Sequence, residues 1–299
     1  MAAAAPPDAA DQRDTPLARE HRWMALRMAG VVDELVATIE AGSHACSPSV
    51  DVASNSALAA AATLVVSSPN SSVIKGFVTM NGAAITKGDI TVRFAHYSRG
   101  SPVKVSVNTS RPLILPQITL AHNCLVAALD ILQHAKDPEF EDLDMIVLQD
   151  ALPRVGTFLC KAREALDAPA PVHLFPKREP DPKSFFPDLP EDLIVEFSTK
   201  AMSLTTTVYA LSLHQQGIPL QFQNKLLGKF KPMKLGTYKG RDVEIIDHVT
   251  VESASPRLSE IYAAIDHAEA LCRDTMAKLA AFDHSMLTAS SEPQHAAPE

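Results

Sequence analysis

Val73-Ile74-Lys75-Gly76-Phe77-Val78-Thr79-Met80-Asn81-Gly82 is where the chain stops reading as helix. Val73 to Met80 is β-branched and apolar. Asn81-Gly82 then gives the strongest short hairpin signal, because both residues accept the left-handed backbone of a tight turn between twisted strands. Farther on, Ile90-Thr91-Val92-Arg93-Phe94 and Val103-Lys104-Val105-Ser106-Val107 alternate with period two, the pattern of half-buried strands. The proline-bounded run Arg111 to Pro116 closes this β region.

Helical periodicity flanks it. Met24, Met28, Val31, Leu35 and Ile39 make one stripe of a helix from Thr15 to Ala41, with a cap and first-turn proline at Thr15-Pro16 and a stop at Gly42. Ser43 to Ser72 is rich in Ser, Pro, Asn and Ala and reads as a loose connection. From Gln117, Ile118, Leu125, Leu129 and Leu132 form a second stripe, ending at Asp137-Pro138. A further helix is expected from Phe140 to Leu166, with Leu143, Val147, Phe158 and Leu166 inward and a kink at Pro153. Pro169, Pro171, Pro176, Pro180 and Pro182 then mark an extended crossover.

Asp188 and Glu191 have capping-box spacing, and Leu193, Phe197, Leu204, Val208 and Leu211 suggest a third long helix ending near Gly217. Val243 to Val251 reads as a strand. Ser255-Pro256 caps a last helix with Leu258, Ile261, Ile265, Cys272, Met276 and Leu279 inward, fraying after Ser285. The fold class expected is α+β: an elongated antiparallel bundle of long helices with a smaller, discontinuous antiparallel β subdomain. In residues, the bundle is 15–42, 117–216 and 255–285, and the β subdomain 70–112 and 217–252, with strands near 73–107 pairing those near 218–251. Residues 1–14 read as a disordered arm and 286–299 as a disordered tail.

Composition narrows the function. A net charge of -8 argues against a nucleic-acid binder with a general electrostatic footprint. The longest weakly apolar run, Ala57 to Val66, is far short of the ~20 residues a spanning helix needs, and Met1 to Asp14 lacks the features of a secretory signal. Cys46, Cys124, Cys160 and Cys272 are too far apart for a zinc knuckle and read as reduced thiols, which points to the cytosol. No phosphate-binding glycine loop, nucleophile elbow or HExxH pair occurs, and His122 and His134 lie too far apart on their helix to share a metal locally. The acidic run Asp137, Glu139, Glu141, Asp142 and Asp144 could be imagined as acid–base machinery, but it suits a helix start, where negative charge complements the macrodipole. No cofactor and no metal are expected.

One charge feature stands apart. Lys225, Lys229, Lys231, Lys234, Lys239 and Arg241 fall between Asn224 and Arg241 with no acidic residue among them. Leu226, Leu227, Phe230, Met233, Leu235 and Tyr238 are interleaved. Such a segment suits an acidic protein partner or anionic headgroups; equally, lysines over a β edge discourage strand pairing. These six basic residues are the candidate partner-binding site.

Several segments together resemble the Rogdi family, the small subunit of the RAVE complex (regulator of the ATPase of vacuoles and endosomes). They are Glu20-His21-Arg22-Trp23; Val73 to Gly82; Phe186-Pro187-Asp188-Leu189-Pro190-Glu191-Asp192-Leu193 with Leu204 and Thr207-Val208-Tyr209 beyond; and Val243 to Glu252. The resemblance implies a non-catalytic, Rogdi-like scaffold subunit, without metal or cofactor, working through protein–protein interaction. Its implied partners are a large rabconnectin-type propeller scaffold and the soluble-sector subunits of the vacuolar-type proton ATPase (V-ATPase), whose assembly and hence vacuolar acidification it promotes. The implied location is cytoplasmic, with peripheral recruitment to vacuolar and endosomal membranes. Two alternatives stay open: a peripheral adaptor on anionic membrane, and an uncharacterised enzyme.

Overall fold

The computed structural model describes residues 16–48, 61–68, 72–136, 145–213 and 233–289. They form helices α1 (Pro16–Cys46), α2 (Pro116–Ala135), α3 (Met145–Asp167) and α4 (Pro256–Ala289). The strands are β1 (Ala62–Ser67), β2 (Ile74–Asn81), β3 (Ala84–Val92), β4 (Val103–Val107), β5 (Leu113–Ile114), β6 (Phe185–Phe186), β7 (Leu193–Lys200), β8 (Ser203–Leu213), β9 (Met233–Tyr238) and β10 (Arg241–Ala254).

The expected hairpin is present, but its two-residue loop is Gly82-Ala83, one position later than Asn81-Gly82, and Asn81 is the last residue of β2. Asn81 faces Ala84 across a two-residue loop, and Gly82 takes φ +55°. A Cβ at Gly82 would stand 2.4 Å from the backbone of Ser47, so the position excludes a side chain twice over. β2 and β3 are the middle of an antiparallel sheet ordered β1-β2-β3-β4-β6, with β5 also paired to β3. β1 lies inside the stretch expected as a loose connection. Its neighbours are turn-formers, and only Leu64 and Val66 of its short run are buried.

The largest departure concerns residues 188–217. No third long helix starts at Asp188: Leu193–Lys200 and Ser203–Leu213 are β7 and β8 of a second antiparallel sheet, ordered β7-β8-β10-β9. The expected stripe misled because residues four apart share a face in a strand as they do in a helix. The β-branched content of the run (Ile194, Val195, Thr199, Thr205, Thr206, Thr207, Val208) is the signal that favours strands. Five consecutive buried residues in β8, Leu204 to Val208, also erased the alternation. Among the described residues the architecture is therefore four helices and two antiparallel sheets, not an elongated bundle of long helices. The expected pairing of 73–107 with 218–251 is not found among the described residues either; β10 pairs with β8 and β9.

Where the helical reading holds, the inward stripes shift slightly. α1 buries Met28, Val32, Leu35 and Ile39 and continues past Gly42. α3 buries Leu148, Leu152, Val155, Leu159 and Leu166, leaving Val147 exposed, and runs through Pro153. Ser255 caps α4 as read from the sequence, its Oγ accepting from Leu258 N at 3.3 Å. The arm 1–14 and residues 290–299 lie outside the described residues.

The chain divides into two units. One comprises residues 1–41, 124–161 and 264–299. Its described part is helical, tied by an ion pair between Lys136 and Asp33, by His267 to Glu34 at 3.2 Å, and by the Cys272 thiol donating to Leu152 O at 3.2 Å. The other comprises residues 42–123 and 162–263 and contains both sheets. There the Ser253 hydroxyl donates to Val65 O at 2.7 Å, Tyr97 OH donates to Asp192 at 2.8 Å, and Asp247 accepts from His96 N at 3.0 Å, so side chains bridge one sheet to the other. Buried Arg257 donates to Ala45 O at 3.0 Å and pairs with Glu260.

Candidate functional site

The six basic residues proposed from the sequence are only partly visible. Lys225, Lys229 and Lys231 lie outside the described residues. Lys234 is on β9, opposite Glu244 of β10 in register. Lys239 occupies the β9–β10 turn with φ +50°, followed by Gly240 at φ +72°, the left-handed pair of a tight hairpin. Its Nζ stands 5.4 Å from the centre of the Tyr238 ring. Arg241 is engaged: its guanidinium meets Glu191 at 3.1 Å. The structure thus brings Lys239 and Arg241 together at one turn beside an acidic residue.

A second feature, which the sequence reading did not single out, is a cavity of about 240 Å³ in the two-sheet unit. Two short extended segments flank it, 112–115 and 194–197, the latter from β7. The Pro-dense crossover after α3 completes it with His173, Arg178 and Asp181. Among the described residues β7 is an edge strand, paired only with β8. Its hydrogen-bonding direction follows from the hairpin, in which Lys200 faces Ser203 across a two-residue loop. The pair flanking such a loop exchanges hydrogen bonds, so Ile194, Glu196, Ser198 and Lys200 direct their peptide groups to β8. Leu193, Val195, Phe197 and Thr199 direct theirs outward.

Each end of that outer edge is already satisfied. Leu193 N donates to Pro190 O at 3.1 Å. At the other end Gln117, in the first turn of α2, behaves like one peptide unit of a missing strand. Its Oε1 accepts from Thr199 N at 2.6 Å, and its Nε2 donates to Thr199 O at 3.0 Å and to Ala165 O at 2.8 Å. Thr199 also donates its hydroxyl to Leu166 O at 3.2 Å. Between these ends, the outward peptide groups of Val195 and Phe197 have no hydrogen-bond partner among the described residues.

The side chains of β7 sort by parity. Ile194 joins Phe175, Leu211, Tyr238, Val243 and Ile245 in one buried cluster, in which Phe175 meets Tyr238 edge-on at 5.1 Å. Glu196 shares that face, and its Oε1 accepts from Phe175 N at 2.9 Å. Burial pushes its carboxyl above the usual range, an effect the Phe175 N–H and the Arg178 guanidinium partly offset. No other partner of the carboxylate is found among the described residues. Chemically, the groove offers a strand edge unpaired among the described residues, apolar walls and a carboxylate holding one hydrogen bond. Among the described residues no three His, Cys, Asp or Glu side chains gather as a metal-binding group.

Gln117 and Glu196 could not have been found by motif. A lone Gln in a helix's first turn and a lone Glu in a β-branched run carry no spacing signal. The prolines from 169 to 182 marked the crossover but not what it encloses.

Comparison with known proteins supplies the class. The profile of the family described as Rogdi leucine zipper containing protein matches residues 20–280. The chain belongs to this family. Among curated relatives it is similar to Protein rogdi of Drosophila melanogaster, 29% identical over 153 residues, which is 48% of this chain and 53% of that protein. It is also similar to Protein rogdi homolog of Danio rerio, 24% identical over 214 residues, 70% of this chain and 73% of that one. The matched region thus spans about half the length of the fly protein.

Proposed function

We propose that the chain is a non-catalytic subunit of a RAVE-like complex that promotes assembly of the vacuolar-type proton ATPase, acting through protein–protein contacts. The observation that carries this reading is membership of the Rogdi family over residues 20–280. The open edge of β7 adds physical support, since a strand edge left unpaired is a means of holding another protein. No helix among the described residues is long and apolar enough to cross a membrane, which accords with recruitment to vacuolar and endosomal membranes from the cytoplasmic side through partners. In this reading the partners are a large propeller scaffold of the rabconnectin type and the soluble-sector subunits of the pump, and the basic residues 225–241 offer a further contact.

The test is affinity purification of the tagged protein from its own cells, with mass spectrometry of what accompanies it. Co-purification of the propeller scaffold and soluble-sector pump subunits is expected. A preparation free of both under gentle salt would contradict the proposal.

A further inference from the structure

We infer that the groove between residues 112–115 and the outer edge of β7 is a docking site for an extended peptide of a partner protein, which adds a strand to β7 and presents a lysine or arginine to Glu196. The inference rests on the local geometry and stands whether or not the pump-assembly reading does.

Hydrogen-bond complementarity comes first. Val195 is only 2% exposed, yet its outward N–H and C=O, like those of Phe197, have no partner among the described residues. Buried backbone groups of this kind are almost always paired in a folded protein. The gap between the Pro190 contact and the Gln117 clamp leaves these two residues to accept a strand, and only an extended backbone offers donors and acceptors at their spacing. That Gln117 completes the same edge with a side-chain amide shows that the edge binds peptide groups when one is supplied.

The second argument is charge. Glu196 receives one hydrogen bond, from Phe175 N, and lines the cavity. A half-buried carboxylate with so little satisfaction calls for a cationic donor. The Arg178 guanidinium also lines the groove and its charge favours the carboxylate, but no hydrogen bond or ion pair joins the two among the described residues, which leaves the contact position open to a ligand's cation. The walls fix the neighbouring positions: Leu113 and Ile114, the latter 51% exposed, supply apolar surface for side chains flanking the base.

The experiment uses the full chain in two arms. In the free protein, residue-resolved hydrogen exchange should find the Val195 and Phe197 amides exchanging at least ~100-fold faster than that of Glu196, which bonds to β8. Exchange as slow at all three would overturn the inference, because the edge would already be paired. In the second arm, a displayed library of random nonapeptides is panned on the protein and the enriched sequence is synthesised. It should carry a Lys or Arg among apolar residues and lose roughly tenfold or more in affinity for Glu196→Gln and for Val195→Pro. The proline removes an outward N–H and no bond to β8, so the fold should be retained. Should Val195→Pro fail to fold, N-methylation of alternate amides in the peptide makes the same test without altering the protein, and should abolish binding. No enrichment, or binding indifferent to N-methylation, would overturn the docking site.

Discussion

Gln117 and Thr199, 82 residues apart in sequence, are joined by two hydrogen bonds between one side-chain amide and one backbone peptide pair. A helix thereby terminates a sheet edge without contributing a strand. Both residues are buried, so neither set of polar groups has water to fall back on.

Gln117→Leu keeps the volume and removes the amide. Thr199 N–H and O and Ala165 O lose their partner together, and the variant should be less stable by about 2–4 kcal/mol in urea unfolding. A loss under half a kcal/mol would mean that the clamp is dispensable.

Gly82→Ala tests the hairpin that decides the fold. The added methyl meets Ser47 backbone at 2.4 Å in a backbone conformation that alanine disfavours. A loss of about 1–3 kcal/mol is expected. An unchanged unfolding midpoint would show that the loop is free to move aside.

The thiols should separate sharply in reactivity. Cys46 is pushed up to about 12 by burial, only partly offset by Arg257, and burial also raises Cys124 and Cys272. Cys160 is exposed. Under native conditions a maleimide should label Cys160 first, with Cys46 slower by at least about a hundredfold. Early labelling of Cys46 would contradict the burial of the α1 terminus.

Glu196 makes stability depend on pH. Its folded carboxyl holds a proton more tightly than the unfolded chain does, whose value is 4.5. Its contribution is therefore fully present below about pH 4.5 and is lost as pH rises through the folded value. Glu196→Gln has no such loss, so its stability relative to the parent should rise between pH 4 and pH 7. A difference independent of pH would show that Glu196 titrates normally.

What was legible in the sequence was local. Gly82 marked the hairpin to within one residue, Ser255-Pro256 marked its own cap, and the alternating run at 103–107 and the apolar run at 243–251 marked their strands. Residues 193–213 were misread because β7 and β8 are buried on enough positions to blur period two, leaving spacings of four that either structure satisfies. β1 was missed because a six-residue strand among turn-formers has too few apolar positions to show a period. The groove was illegible for another reason: it is made of backbone edges and a long-range Gln–Thr clamp, which no local spacing encodes. Of the six basic residues, Lys234, Lys239 and Arg241 fall among the described residues, and there Arg241 is paired with Glu191.

We propose above that this protein promotes assembly of the vacuolar-type proton ATPase. The most direct measurement deletes its gene in its own cells and compares, on isolated vacuolar or endosomal membranes, the soluble-sector subunits bound per membrane-sector subunit. That ratio should fall at unchanged total subunit levels and recover when the protein is returned. An unchanged ratio, with proton pumping intact, would contradict it.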